Sequence, residues 1–206
     1  VRAAARQPNI VFIMADDLRP ELGSYGVEGI KTPNLDALAS RSVRFDRAFV
    51  QYPLCNPQRT SLLTGHYPTQ TRVLDNRQWW GNRHPDYITL PRWFRDHGYN
   101  TLRDGKIFHE GIDDEAGWVV GGQARRYADD ASESIDSAAS GRGGAAPAAG
   151  GRGKAAPAQP NTPQRAGGSD SIVVLPGNGE TYQDYQHATR TIELLKQYKD
   201  ADKPFF

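Results

Sequence analysis

The chain has 206 residues, of which 25 are basic and 24 acidic, so its formal net charge is only +1. This balance gives no indication of nucleic acid or an acidic membrane surface as the main partner. No apolar run reaches the roughly 18 residues that a membrane-spanning helix needs. A single cysteine excludes an internal disulfide framework. The length is sufficient for one hydrophobic core, so we expect a single domain.

The first structural signal is a continuous apolar run over residues 9–15, which is rich in β-branched and aromatic side chains. Such a run is typical of a strand buried on both faces, as in a parallel sheet. It ends at Asp16 and Asp17, two carboxylates that need partners if they lie near a core. The pattern therefore predicts a buried strand with two acidic residues at its carboxyl end.

Capped helices alternate with extended segments along the rest of the first half. Residues 32–39 and 89–98 each begin with a threonine that can cap a helix and have a proline in the first turn, Pro33 and Pro91. A third helix is predicted from about Pro57 to Thr64, with Gly65 as its stop. Residues 43–50 and 99–102 have the composition of strands. This alternation predicts an α/β fold with a largely parallel sheet flanked by helices.

The second half contains a stretch of different composition. Residues 138–170 are mostly Gly, Ala, Pro and Arg, which cannot bury a core and predict a flexible insertion. A helical pattern follows it, and residues 203–206 resemble the start of another buried strand. Because a domain boundary rarely falls at the start of a core strand, we expect the chain to be the N-terminal part of a longer protein.

Cys55 opens the motif Cys-x-Pro-x-Arg, which we place on a loop leading into the third helix. A lone cysteine is more often an inert buried thiol than a reactive group. Here the N–H groups at the start of the helix would form an anion site. Arg59, one turn further, could point back at the side chain of residue 55, although it could also be a surface arginine.

Asp16 and Asp17 are candidate ligands of a divalent cation. Ca²⁺ and Mg²⁺ both prefer oxygen ligands, and two successive carboxylates converge once the backbone leaves strand geometry. The alternative is a turn or helix cap at the end of the strand.

Lys106 and His109 lie three residues apart in Gly-Lys-Ile-Phe-His, so a turn or short helix would place them on one side. Lysine binds anionic ester oxygens, and histidine exchanges protons near neutral pH. Each residue alone could equally be an exposed polar side chain.

Trp79, Trp80 and Arg83 follow the cysteine motif. Indole faces stack on sugars and arginine pairs with carboxylates, so these residues could line a sugar subsite. They could equally pack in the core and at its rim.

Four segments in this order together resemble the sulfatases. They are Asn-Ile-Val-Phe-Ile-Met-Ala-Asp-Asp-Leu-Arg-Pro, Thr-Pro-Asn-Leu-Asp-Ala-Leu-Ala, Cys-Asn-Pro-Gln-Arg-Thr-Ser-Leu-Leu-Thr-Gly and Gly-Lys-Ile-Phe-His-Glu-Gly. Asp-Asp-Leu-Arg-Pro and Gly-Lys-x-Phe-His are similar to the iduronate-2-sulfatase branch. The resemblance covers about residues 8–118 and 178–206, and it implies an alkaline-phosphatase-like mixed sheet, truncated after about its first half.

The resemblance also implies a mechanism. Cys55 would be oxidised by a separate maturation enzyme to formylglycine, whose hydrate attacks the sulfur of a sulfated sugar. Asp16 and Asp17 would bind Ca²⁺, or alternatively Mg²⁺, together with the modified residue 55. Arg59 would hold the hydrate. Lys106 would bind the sulfate, and His109 would hold the hydrate or assist proton transfer.

The family's remaining metal ligands, a second histidine and a second lysine would lie beyond Phe206, so the 206-residue chain alone is expected to be inactive. The resemblance implies a location outside the cytoplasm. Two other functions stay open: a phosphomonoester or phosphonate ester hydrolase of the same superfamily, and a non-catalytic module that binds anions or carbohydrate with an unmodified Cys55.

Overall fold

The computed structural model describes residues 7–123, 177 and 179–206. In these residues we number the α-helices α1 (Pro33–Ala39), α2 (Cys55–Thr64), α3 (Pro68–Thr71), α4 (Leu90–Asp96) and α5 (Gln183–Tyr198). Short 3-10 helices span Gly23–Tyr25, Trp80–Asn82 and Glu115–Gly117. The insertion predicted at residues 138–170 lies outside the described residues. None of the helices described is long and apolar enough to cross a membrane.

The two helix starts predicted at Thr32 and Thr89 are confirmed, but the two threonines act differently. The hydroxyl oxygen of Thr89 accepts a hydrogen bond from the backbone N–H of Arg92 and so caps α4. The hydroxyl of Thr32 accepts from the N–H of Gly23 and donates to Asp36, each at 3.0 Å. Thr32 therefore joins α1 to the segment before it.

Helix α2 begins at Cys55, two residues before the predicted start at Pro57. Cys55 is therefore the first residue of the helix and does not lie on the loop before it. The predicted end is confirmed, because Gly65 has φ +73° and its N–H bonds the carbonyl of Ser61 at 2.9 Å. Glycine is suited to this left-handed position because it has no Cβ.

Two isolated parallel bridges connect extended segments of the described residues. Asn100 pairs with Phe205, and Leu102 pairs with Val120, both in parallel bridges. On the other side of Phe205, the N–H of Ile10 donates to its carbonyl at 2.9 Å. The extended segments therefore lie in the order 9–10, 204–206, 99–103 and 118–120, with the bridged pairs parallel as the alternating pattern predicts.

The predicted strands at residues 9–15, 43–50 and 99–102 are not assigned as strands in the described part of the chain, and the last of them has only isolated bridges. Burial of the first of these runs on both faces is also not observed, since Ile13 is 81% exposed. The physical reason is that, among the described residues, the backbone of this segment is bonded only near its start, from Ile10 to Phe205. The two isolated bridges therefore do not establish the predicted mixed sheet.

The hydrophobic core lies between α2 and the segment that follows residue 102. Its buried members are Leu63, Val73, Trp80, Phe108 and Trp118. Leu63 projects from α2, whereas Phe108 lies two residues after Lys106. The core therefore packs the helix that begins at Cys55 against the turn that carries Lys106.

Two adjacent leucines of α2 test this packing. Leu63 is 1% exposed and Leu62 is 44% exposed. We expect Leu63→Ala to lower the free energy of unfolding by about 2–5 kcal/mol, because it removes buried methyl groups and leaves a cavity. Leu62→Ala, the matched control, should change it by less than about 0.5 kcal/mol. Urea denaturation followed by circular dichroism measures both, and equal losses would contradict the assigned core.

Candidate active site

The three predicted metal ligands converge in the structure. Asp16, Asp17 and Cys55 each offer one ligand atom, and these atoms all lie within 4.8 Å of one another. Asp17 has φ +52°, a left-handed conformation that takes the backbone out of extended geometry directly after residue 16. This turn allows two successive carboxylates, which would diverge in a regular strand, to face the same region.

Lys106 completes this group of side chains. Its Nζ donates to Oδ2 of Asp16 at 2.5 Å and lies 3.6 Å from Sγ of Cys55. The thiol sulfur also lies 3.8 Å from Oδ1 of Asp16. A carboxylate, an ammonium group and the side chain at the start of α2 are therefore in mutual contact.

Arg59 is buried, with 4% of its surface exposed, and it contacts Asp16 and the lysine turn. Its Nη2 donates to Oδ1 of Asp16 at 2.8 Å. Its Nη1 donates to the carbonyl oxygens of Lys106 at 2.5 Å and Ile107 at 2.8 Å. The surface alternative for this arginine is therefore excluded, and the guanidinium connects α2 to both the carboxylate and the turn.

Asp16 is strongly stabilised as a carboxylate. The hydrogen bond from Lys106 lowers its pKa most, partial burial opposes this, and Arg59 lowers it further, to about 2. Asp16 therefore remains ionised at all pH values at which the protein would act. Its two oxygens each accept from a different cation, which fixes the orientation of the carboxylate.

His109 is half-buried near the two cations. Burial lowers its pKa below 6.5, and the positive charges of Lys106 and Arg59 lower it further. The imidazole is therefore neutral at pH 7 and able to accept a proton. Its Nδ1 is buried without a hydrogen-bond partner in the described part of the chain.

The donor set fits a hard cation if residue 55 carries oxygen. Carboxylate oxygens are ligands that Ca²⁺ and Mg²⁺ prefer, whereas a thiolate is a soft ligand that favours other metals. Asp16 and Asp17 supply carboxylates, and Cys55 supplies sulfur. Conversion of this cysteine to a hydrated aldehyde would make the donors of all three residues oxygen.

Of the two tryptophans in this predicted subsite, Trp79 is half-buried and Trp80 is buried. Trp80 is 2% exposed and belongs to the hydrophobic core, so the packing alternative is the one observed for this indole. A sugar has no exposed indole face to stack on at this position. Arg83 is exposed, and a role for it in substrate binding stays a prediction.

Two residues within the cysteine motif have roles that the sequence did not indicate. The side-chain amide of Asn56, fully buried, donates to the carbonyls of Asp75 at 2.8 Å and Gln78 at 2.7 Å. The side-chain oxygen of Gln58 accepts from the N–H of Gln51 at 2.6 Å. The signal available in the sequence for Asn56 was its helical spacing from Arg59, Thr60 and Leu63, which places the four residues on one face of α2.

The pKa of His109 gives a test of the charge arrangement. In metal-free buffer we expect its imidazole to titrate below pH 6.5, and Lys106→Met should raise the midpoint because one repelling charge is removed. Since the unfolded chain binds this proton more readily, folding stability should fall as pH drops below about 6.5. Histidine NMR spectra measure the midpoint, with His109→Gln for assignment. A midpoint unchanged by Lys106→Met would contradict the arrangement.

Comparison with known proteins identifies the family of this chain. A family model described as Sulfatase matches residues 8–206. Iduronate 2-sulfatase from Homo sapiens is 32% identical over 210 residues, covering 96% of this chain and 33% of the relative. Iduronate 2-sulfatase from Mus musculus is 46% identical over 104 residues, covering 50% of this chain and 19% of the relative. The chain thus spans about a third of the human protein's length.

A solved structure described as a complex with its substrate D-glucosamine-2-N,6-O-disulfate covers 50% of this chain and 22% of its own, at 29% identity. Its TM-score of 0.43 is too low to define the fold. The family model, in contrast, extends over nearly every residue of the sequence. This chain belongs to the sulfatase family.

Proposed function

We propose that the complete protein is a sulfuric ester hydrolase that removes sulfate from a sulfated sugar, as in the iduronate-2-sulfatase branch. The observation that carries the proposal is the convergence of Cys55, at the start of α2, with Asp16, Asp17 and Lys106. A nucleophile position, two carboxylates and an ammonium group form one cluster. Such a cluster suits the transfer of an anionic group.

In this proposal Asp16, Asp17 and residue 55 hold Ca²⁺, or alternatively Mg²⁺. The cation supplies positive charge that stabilises negative charge on oxygen at the reacting centre. Lys106 and Arg59 already neutralise Asp16 in the structure, so the cation would share that carboxylate with them. The second carboxylate, Asp17, then provides a negative charge for the cation, because Lys106 and Arg59 pair with Asp16.

Addition of water to formylglycine at position 55 would give a hydrate with two hydroxyls on one carbon. One hydroxyl attacks sulfur and displaces the sugar alcohol, and the other later expels sulfate and restores the aldehyde. The start of α2 offers N–H groups and positive dipole to the anionic ester. Lys106, close to residue 55, binds the sulfate oxygens. Arg59 orients Asp16 and the turn of Lys106, and through this contact it acts on the hydrate.

His109 exchanges the proton of the reaction. A neutral imidazole at pH 7 takes a proton from the attacking hydroxyl and can return it to the departing alcohol. The lowered pKa supports this assignment, because it keeps the base unprotonated near neutral pH. The sulfated sugar is the substrate, with Arg83 as a candidate contact, and a maturation enzyme is the partner that oxidises Cys55. We place the complete protein outside the cytoplasm, as its resemblance to the family implies.

The state of Cys55 is the most direct test. Trypsin releases the peptide of residues 48–59, which contains this cysteine. From the complete protein of the native host, we expect a mass that matches formylglycine and a peptide that reacts with a hydrazide probe. Cys55→Ala should abolish hydrolysis of aryl sulfate. An unmodified thiol in an active hydrolase would contradict the aldehyde nucleophile, and no turnover with an unmodified thiol would favour the binding module.

A comparison of matched esters separates the two hydrolase alternatives. We expect the complete protein to hydrolyse an aryl sulfate with a larger kcat/KM than the corresponding aryl phosphate or phosphonate. The helix start and Lys106 bind either anion, so only the rate discriminates between them. A larger kcat/KM on the phosphate ester would overturn sulfate esters as the proposed substrates. It would leave the proposed residues of the site unchanged.

Removal of one carboxylate tests the metal site. Asp17→Asn should weaken Ca²⁺ binding to the complete protein at least about tenfold, because second-shell changes alone cost 10- to 100-fold and this residue is proposed as a ligand. Asp46→Asn is the matched control, since Asp46 pairs with Arg44 outside the site. Isothermal titration calorimetry measures both affinities. Equal Ca²⁺ affinities in the two variants would show that Asp17 is not a ligand.

A further inference from the structure

A buried ion pair lies next to the turn that carries Lys106. Arg103 and Asp113 are 5% and 3% exposed, and Nη1 of the arginine donates to Oδ2 of the aspartate. The same carboxylate accepts from the indole N–H of Trp118 at 3.0 Å and from the backbone N–H of Gln123 at 2.8 Å. Asp113 is therefore fully engaged, and it holds the guanidinium in one place.

The rest of the guanidinium holds the backbone of Gly105. Nη2 of Arg103 lies 3.0 Å from the carbonyl oxygen of Gly105, and Nε lies 3.4 Å from it. Gly105 has φ +72°, so the chain turns here through a left-handed conformation. The carbonyl of residue 105 belongs to the peptide that leads into Lys106. A donor on this oxygen therefore fixes the direction in which the next residue leaves the turn.

A second guanidinium holds the next two carbonyls. Arg59 donates to the oxygens of Lys106 and Ile107, while Arg103 donates to that of Gly105. Three consecutive carbonyls are thus bound by two arginines. From this turn the ammonium of Lys106 reaches Oδ2 of Asp16 at 2.5 Å.

We propose that Arg103, held by Asp113, is a positioning residue that sets where the Lys106 ammonium meets the sulfate group. The proposal rests on the proposed function of Lys106. In the described part of the chain the side chain of Arg103 donates to Gly105 and Asp113, so it acts on the site through the backbone of the turn. A planar fork is suited to this task, because it bonds a carboxylate and a carbonyl at the same time.

The neighbouring aspartate provides a matched control. Asp114 is buried like Asp113, but it pairs with Arg92 of α4 at 2.5 Å and accepts from the hydroxyl of Thr89. Arg92→Met therefore breaks an ion pair between a buried aspartate and a partly exposed arginine, which leads to a helix and not to the turn of Lys106.

The test compares Arg103→Met with Arg92→Met in the complete protein, labelled with ¹⁵N-lysine. Removal of one partner of a buried pair leaves an unpaired charge, so the double variant Arg103→Met with Asp113→Asn is included to preserve folding. The ammonium signal of Lys106, assigned with Lys106→Arg, reports its position. The value of kcat/KM on aryl sulfate, per folded protein, reports the function.

We expect the Lys106 signal to shift or broaden in both Arg103 variants and to stay unchanged in Arg92→Met. We expect kcat/KM to fall about 10- to 100-fold in both Arg103 variants and to stay unchanged in Arg92→Met, because small misplacements of a reacting group cost up to about 100-fold. Arg103→Lys should also lose activity, because an ammonium cannot reproduce the fork.

Three results would overturn the positioning role. They are a Lys106 signal unchanged in the double variant, an equal shift in Arg92→Met, and full activity in Arg103→Lys, which would reduce the role of Arg103 to its charge. A wild-type protein that hydrolyses no sulfate ester would contradict the proposed function instead. The positioning of Lys106 would still be measured by its NMR signal, so the two failures are distinguishable.

Discussion

The carboxylate of Asp16 is the point at which three separate segments of the chain meet. Arg59, from α2, donates to one of its oxygens, and Lys106, from the turn after residue 105, donates to the other. Each of these cations would be costly to desolvate without a partner, and each lies within bonding distance of the same group. The position of the site relative to α2 therefore depends on this one anion, whose pKa of about 2 reflects both contacts.

The support of that interaction is a buried helix face that is mostly polar. Asn56, Arg59, Thr60 and Leu63 are buried at helical spacing, and only the last is apolar. Their polar atoms are satisfied by loop carbonyls, by Asp16 and by one another. Because buried polar groups need defined partners, this face fixes the orientation of α2 more strictly than apolar packing alone would. Cys55 at the start of the helix is oriented by the same contacts.

The site combines two cationic side chains near residue 55, Lys106 and Arg59, with two carboxylates that a divalent ion would share. Lys106 and Arg59 favour an anionic ester. Burial lowers the pKa of His109, and these two positive charges lower it further. A sulfur ligand at position 55 fits a hard cation poorly, whereas oxygens fit it well. The same chemical change at Cys55 would therefore create the nucleophile and complete the donor set. This agreement links the metal site and the nucleophile in one proposal.

The sequence by itself determined the family and the helix starts at Thr32 and Thr89, and it predicted the residues of the candidate site. Local rules suffice for the helix starts, because a cap and a proline act within one turn of helix. Two successive carboxylates can converge only if the backbone leaves strand geometry, and the left-handed φ of Asp17 meets this condition.

Only the tertiary structure decided which groups meet across the chain. The contact of Lys106 with Asp16 spans 90 residues of sequence, and no local pattern encodes its distance. Burial likewise depends on neighbours, so the exposed run at residues 9–15 and the buried indole of Trp80 could not be assigned from composition. The pairing of Arg103 with Asp113 also could not be assigned from the sequence. A buried charge needs a partner, and folding alone determines which residue provides it.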